Sequence, residues 1–211
     1  MSIVLPLVLG VVISALGIML PGLINMTAAK ISLSDGRQRA VIFALGATSV
    51  VFVQTYIAVS FAKFINRNPG IIYLLEEIGL GIFTLLTIYF LFIAKKPEPK
   101  DEEDVVKLRS RTGSFFLGAL LSALNFFPIP YYVFISITLS SYGYFTFDNL
   151  YVFLFVMGVV LGSFGIFYLY IVSFKKIQYK TDFFMCNINY FIGGVTGLVS
   201  IITFIKIIRN L

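Results

Sequence analysis

The chain has 211 residues and a formal net charge of +6, with 59% hydrophobic and only 12% charged side chains. Soluble domains carry about 25% charged residues, so this composition excludes an ordinary soluble domain and leaves room for about six membrane-spanning helices. With no histidine and a single cysteine, Cys186, the chain lacks the commonest general base and cannot form an internal disulfide.

Six apolar segments follow one another, and each is long enough to cross a bilayer core of about 30 Å as a helix. They are residues 3–29, 40–62, 70–94, 114–139, 149–174 and 187–208. We expect helices, because a backbone in contact with lipid must satisfy its own hydrogen bonds. We expect no cleavable signal peptide, since the first segment is long and no lysine or arginine precedes it.

The first and fourth segments are each interrupted by proline, which has no backbone N–H and clashes with the preceding helical turn. Carbonyl groups near each break therefore need partners other than the helix, and a nearby asparagine lies within reach in both segments. The breaks are interpreted either as a solute site or as kinks whose carbonyls are satisfied by neighbouring side chains. The residues assigned to a solute pathway are Pro21, Gly22, Asn25, Asn125, Pro128 and Pro130.

Basic residues alternate between the loops. Twelve lysines and arginines lie in loops 30–39, 95–112 and 175–186, and only four lie on the opposite side. The positive-inside rule places these three loops in the cytoplasm and both termini outside. Membrane topology thus accounts for the net positive charge, and we expect no nucleic-acid partner.

The two halves of the chain resemble each other. Five of eight positions are identical between residues 9–16 and 117–124, and the charged linker 95–112 separates residues 1–94 from 113–211. Because each half has an odd number of spans, the halves would enter the membrane from opposite sides, as in many secondary transporters. The sequence predicts an all-α membrane protein of six transmembrane helices in two inverted three-helix repeats, with helices 1 and 4 broken at proline.

Three further polar residues lie within or beside the apolar segments. Glu76 and Glu77 are interpreted either as interfacial residues or as carriers of coupling protons, and Gln54 either as part of the solute pathway or as an interhelical hydrogen bond. We find no metal-ligand cluster, no nucleophile with a basic partner and no phosphate-binding loop, so we expect no enzyme, cofactor or metal site. Small residues four apart are typical of helix packing and leave a homodimer as an open alternative.

Three stretches resemble motifs of lysine exporter (LysE) type translocators. Residues 17–22 followed by Asn25 resemble the proline-glycine-proline-asparagine motif of that family's first helix, and residues 35–40 with 44–46 resemble its glycine-arginine turn and second helix. Leu124-Asn125 followed by Pro128 resembles its asparagine-proline-lysine motif. Leu23 replaces the second proline, two phenylalanines separate Asn125 from Pro128, and no lysine follows, which indicates a divergent member and argues against basic amino acids as solutes.

The resemblance implies a bacterial inner-membrane transporter that exports a small polar metabolite, an amino acid or a derivative, by alternating access coupled to protons or ions. Its partners would be the solute and the lipid bilayer. The alternatives are an ion or metal exporter of the wider superfamily and a non-transporting membrane scaffold.

Overall fold

The computed structural model describes residues 3–94, 110–186 and 188–210, and within these ranges every regular element is helical. The all-α prediction is therefore confirmed for this part of the chain. A π-helical turn at Tyr89–Ile93 follows α4 directly. The α-helices are α1 (Val4–Ile18), α2 (Leu23–Ser34), α3 (Arg37–Arg67), α4 (Pro69–Ile88), α5 (Arg111–Leu124), α6 (Pro128–Ser141), α7 (Asn149–Cys186) and α8 (Ile188–Asn210).

Two pairs of helices are sharply bent where the sequence predicts breaks. The axes of α1 and α2 differ by 81°, and those of α5 and α6 by 63°. Pro21 and Gly22 lie between α1 and α2, whereas Pro128 is the first residue of α6, where a helix does not need the N–H that proline lacks. The prediction that the first and fourth apolar segments are broken at proline is confirmed.

The described helices include two that are long and apolar enough to cross a membrane alone, Arg37–Arg67 and Asn149–Ser173. If each bent pair forms one span, the number rises to four. The predicted third and sixth spans contain only shorter apolar stretches in the described residues, at Glu77–Ile93 and Thr196–Ile205. The chain is thus a helical membrane protein, and its six-span inverted arrangement stays a prediction.

Two of the predicted cytoplasmic loops have a different backbone from the one expected. Loop 30–39 is reduced to a tight turn between α2 and α3, in which Gly36 has φ +91°, a conformation that favours glycine. Loop 175–186 was wrongly predicted, since α7 continues as a helix to Cys186. Residues 166–186 contain no glycine or proline to end the helix. Most of the third loop, 95–112, lies outside the described residues.

The helices form two compact units, each of which takes elements from both halves of the sequence. The first contains α1, α2, α3, α5, α6 and most of α7. The second contains α4, the π-helical turn and α8. In the second unit the Thr87 and Thr196 hydroxyls hydrogen-bond at 3.0 Å, and Gly193 and Gly197 admit the side chains of Leu91 and Thr87. Small residues therefore serve helix packing there, as predicted.

Glycines also bring helices of the first unit into backbone contact. A Cβ atom on Gly10 of α1 would collide with the Phe155 carbonyl oxygen of α7, and one on Gly118 of α5 would collide with the Phe43 carbonyl oxygen of α3. Gly10 and Gly118 are equivalent positions in the two similar sequence stretches. Each broken helix of one half therefore packs against the long, unbroken helix of the other half.

Candidate functional site

The first break is closed by a side-chain amide from its own segment. α1 ends at Ile18, so the carbonyl groups that follow lack their usual helical donors. The Nδ2 group of Asn25 donates to the carbonyl oxygens of Ile18, at 2.7 Å, and Leu20, at 2.9 Å. Asn25 is only 3% exposed. The Asn25 amide therefore supplies the donors that these two carbonyl groups lack, and its Nδ2 group is already engaged in this state of the protein.

A tyrosine from the other half of the chain completes the first break. The Tyr170 hydroxyl of α7 donates to the carbonyl oxygen of Met19 at 2.9 Å and lies within hydrogen-bonding reach of the Asn25 side chain. Three successive carbonyls, those of Ile18, Met19 and Leu20, are thus bound by two side chains. The role of Tyr170 could not be predicted from the sequence, because its partner is 151 residues away along the chain.

A second tyrosine joins the two bent helix pairs close to the first break. The Tyr131 hydroxyl of α6 donates to the carbonyl oxygen of Ile13 in α1 at 3.0 Å. Its ring lies against Gly17, where a Cβ atom would come within 3.0 Å of the ring carbons. A glycine at position 17 therefore allows the α6 tyrosine to reach the backbone of α1. Tyr131, like Tyr170, was missed by the sequence analysis.

The second break is held by Gln54 of α3. Its Nε2 group donates to the carbonyl oxygens of Ser122, at 3.1 Å, and Asn125, at 2.9 Å. The structure therefore brings together two residues of the predicted site, Gln54 and Asn125, and confirms an interhelical hydrogen bond for Gln54. The Asn125 side chain is exposed and accepts a 3.3 Å hydrogen bond from the N–H of Phe127.

The two breaks are supported in the same crossed manner. Tyr170, on the long helix of the second half, binds the break of the first half, and Gln54, on the long helix of the first half, binds the break of the second. The prolines have no N–H group to donate to these contacts. Pro21 and Pro128 are half-buried and Pro130 is exposed. Gly22, with no heavy atom within 4 Å of a Cβ placed there, leaves open space beside the first break.

Several buried side-chain oxygens of the first unit have no hydrogen-bond partner. Buried polar groups are usually paired, and an unpaired one indicates a missing partner such as a water, an ion or a ligand. Two of these oxygens, Gln54 Oε1 and Ser122 Oγ, lie at the contact between α3 and α5, next to the second break. The others are Asp35 Oδ2, Thr55 Oγ1 and Ser136 Oγ.

An open groove of about 380 Å³ lies between α3 and α7. Its lining is mostly apolar, and its two hydroxyls, on Thr48 and Ser49, donate to carbonyls of their own helix. The groove therefore offers no unpaired polar group that would fix a solute. Its lining residues are Leu45, Thr48, Ser49, Phe52, Met157 and Val160.

The predicted coupling residues belong to the second unit. Glu77 lies in α4 and is exposed, whereas the side chain of Glu76 lies outside what the structure describes. Among the described residues, no three His, Cys, Asp or Glu side chains are grouped so that they could hold a metal ion.

Charged residues cluster at the turn between α2 and α3 of the first unit. Arg37 stacks over the Tyr168 ring, with its guanidinium carbon 4.9 Å from the ring centroid, and Arg39 pairs with Asp35 at 3.5 Å. Arg111 at the start of α5 donates to the Gln38 amide oxygen at 3.1 Å. These contacts tie the beginning of α3 to α5 and α7 at one end of the unit.

Comparison with known proteins gave one family. The family model for LysE type translocators matches residues 15–204, which include both breaks, Gln54, Tyr131 and Tyr170. No curated protein and no solved structure matched the chain.

Proposed function

The chain belongs to the LysE type translocator family and is a membrane transporter; on this premise we propose that it exports a small polar metabolite, an amino acid or a derivative, across the bacterial inner membrane. The proposal includes six spans in two inverted repeats, with both termini outside. Transport proceeds by alternating access and is coupled to protons or another ion, with Glu76 and Glu77 as candidate carriers of the coupling proton.

The observation that carries the proposal is the pair of bent helices in corresponding positions of the two halves. Secondary transporters place solute sites at discontinuous helices, whose free backbone groups face the interface between the repeats. Here each break has carbonyl groups outside the helical hydrogen-bond pattern, and each is held by a side chain from the opposite half. Such crossed contacts are what would change if one half moved against the other.

The two breaks have unequal parts in this proposal. At the first break the carbonyls of Ile18, Met19 and Leu20 are all bound by protein groups, so we assign Asn25 to closing that break. At the second break a buried amide oxygen and a hydroxyl are still without partners, so we assign solute contact to that side. A homodimer remains a prediction; Gly10, Gly118 and Gly193, from the small-residue patterns that could form such a contact, pack within the chain.

The test is a comparison of metabolites in medium and cells. A deletion strain is complemented with the wild-type chain or with an empty vector, and the medium-to-cell ratio of every detected metabolite is compared. We expect one small group of polar organic metabolites to be enriched in the medium only when the chain is present. Enrichment of metal or inorganic ions alone would favour an ion exporter, and no difference although the wild-type chain reaches the membrane would favour a scaffold.

A further inference from the structure

The orientation of the Gln54 amide is fixed by its partners. Two backbone carbonyls, of Ser122 and Asn125, accept hydrogen bonds at its nitrogen position, and a carbonyl cannot bind an amide oxygen in place of that nitrogen. Gln54 Oε1 is therefore held as an acceptor. It is buried in a residue that is 6% exposed and has no donor within hydrogen-bond distance.

Ser122 provides a second unpaired oxygen at the same helix contact. Ser114, Gly118 and Ser122 form the buried face of α5, and Gly118 on that face touches the backbone of α3. Hydroxyls in other described helices, such as Thr48 and Ser49, donate to a carbonyl one turn earlier. The Ser122 hydroxyl, in a residue only 1% exposed, makes no such bond.

We infer that Gln54 Oε1 and Ser122 Oγ form a subsite for a hydrogen-bond donor, an N–H or O–H group, of the transported solute. The inference rests on the proposed function and specifies which atoms hold the solute. Ser122 lies two residues before the end of α5 and six residues before Pro128, so a bound donor would connect α3 to the second break. An unpaired buried amide oxygen is costly, and a solute donor removes that cost. Both oxygens belong to neutral groups, so the subsite binds a donor without requiring a charged solute.

The internal similarity of the chain supplies a matched comparison. Ser14 of α1 occupies the position equivalent to Ser122 in the two similar stretches, and it is also fully buried. The Ser14 hydroxyl, however, donates to the Val11 carbonyl oxygen at 3.1 Å. The same side chain thus has a protein partner at one repeat position and none at the other.

The experiment compares Ser122→Ala with Ser14→Ala in the metabolite assay and in thermal unfolding of the purified protein in detergent. Ser122→Ala removes a hydroxyl without a partner, so we expect an unchanged or higher unfolding temperature and an export ratio reduced about tenfold. Ser14→Ala removes a hydrogen bond, so we expect an unfolding temperature about 2–4 °C lower and normal export.

The outcomes separate this inference from the proposed function. If the wild-type chain enriches no metabolite, the proposed function fails, and the subsite fails with it. If the wild type exports and Ser122→Ala exports equally well, the subsite alone is refuted, and its oxygens hold only buried water. A lower unfolding temperature for Ser122→Ala than for Ser14→Ala would also refute the inference, since it would show that the protein itself uses the Ser122 hydroxyl.

Discussion

The two breaks differ in how completely the protein satisfies them. At the first, Asn25 is buried and three carbonyls in succession have donors from Asn25 and Tyr170. At the second, one amide binds two carbonyls, Asn125 is exposed, and Phe126 beside it is 70% exposed to the surroundings of the chain. Proline within an apolar segment thus gives a break whose carbonyl groups have side-chain donors in the first half, and a break beside unpaired polar groups in the second half.

This difference separates structural from functional roles for residues with the same sequence signal. Asn25 follows Pro21 by four residues and Asn125 precedes Pro128 by three, and composition alone gives no reason to assign the two amides different roles. Burial distinguishes the two asparagines, because a hydrogen-bond donor or acceptor without a partner costs more free energy where water cannot replace that partner. Substitutions at the first break should therefore change stability, whereas substitutions at the second should change export.

The largest effect is expected for Asn25→Ala. It removes a buried amide and leaves the partly buried Ile18 and Leu20 carbonyls without donors, which we expect to lower the free energy of unfolding by about 3 kcal/mol. The measurement is chemical or thermal unfolding of the purified protein in detergent, with Asn125→Ala as the matched control. Equal stability of the two variants would show that the two breaks are supported alike, contrary to the comparison.

The next largest effect is expected at the glycine contacts between helices, which occur in both halves of the chain. Gly10→Ala and Gly118→Ala each place a methyl group against a backbone carbonyl of the facing helix, which forces the helices apart. We expect each to cost about 2 kcal/mol in unfolding free energy, and the two costs to agree within about 1 kcal/mol. Gly22→Ala, at a position with nothing within 4 Å, is the control for an added methyl group without a close contact. A large loss of unfolding free energy for only one of these two variants would show that the two long helices are not packed in the same way.

The sequence could predict the breaks because proline and glycine act on their own backbone. It could also predict a partner role for Gln54, since a lone amide in an apolar segment must bond to something. It could not predict that Gln54 meets Ser122 and Asn125, or that Tyr170 meets Met19. Those partners are 68, 71 and 151 residues apart along the chain, and they meet only through the packing of whole helices.

The misplaced loop after the fifth segment has a related cause. Lysines at positions 175, 176 and 180 indicate residues unsuited to lipid, but charge reports the surroundings of a residue and not its backbone conformation. A helix without glycine or proline can leave the membrane and continue in water. The distribution of charge therefore gives a prediction of topology, but it does not predict where a helix ends.

A smaller effect is expected for Tyr170→Phe. It removes the hydroxyl that donates to Met19 but keeps the ring, so we expect a loss of about 1 kcal/mol in unfolding free energy. Tyr168→Phe is the matched control, because the phenylalanine ring still accepts the stacked Arg37 guanidinium. If Tyr170→Phe and Tyr168→Phe unfold at the same temperature, the crossed support of the first break contributes nothing measurable.

The smallest stability effect is expected for Asn125→Ala, where the two kinds of break separate most clearly. The substitution removes one exposed, 3.3 Å hydrogen bond to Phe127 and leaves both Gln54 contacts, which use the backbone of residues 122 and 125. We expect a change of less than about 0.5 kcal/mol in unfolding free energy. Export should nevertheless fall severalfold at equal membrane levels, because the exposed amide is free to meet the solute. Normal export by Asn125→Ala together with lost export by Asn25→Ala would place the solute at the first break and reverse the comparison.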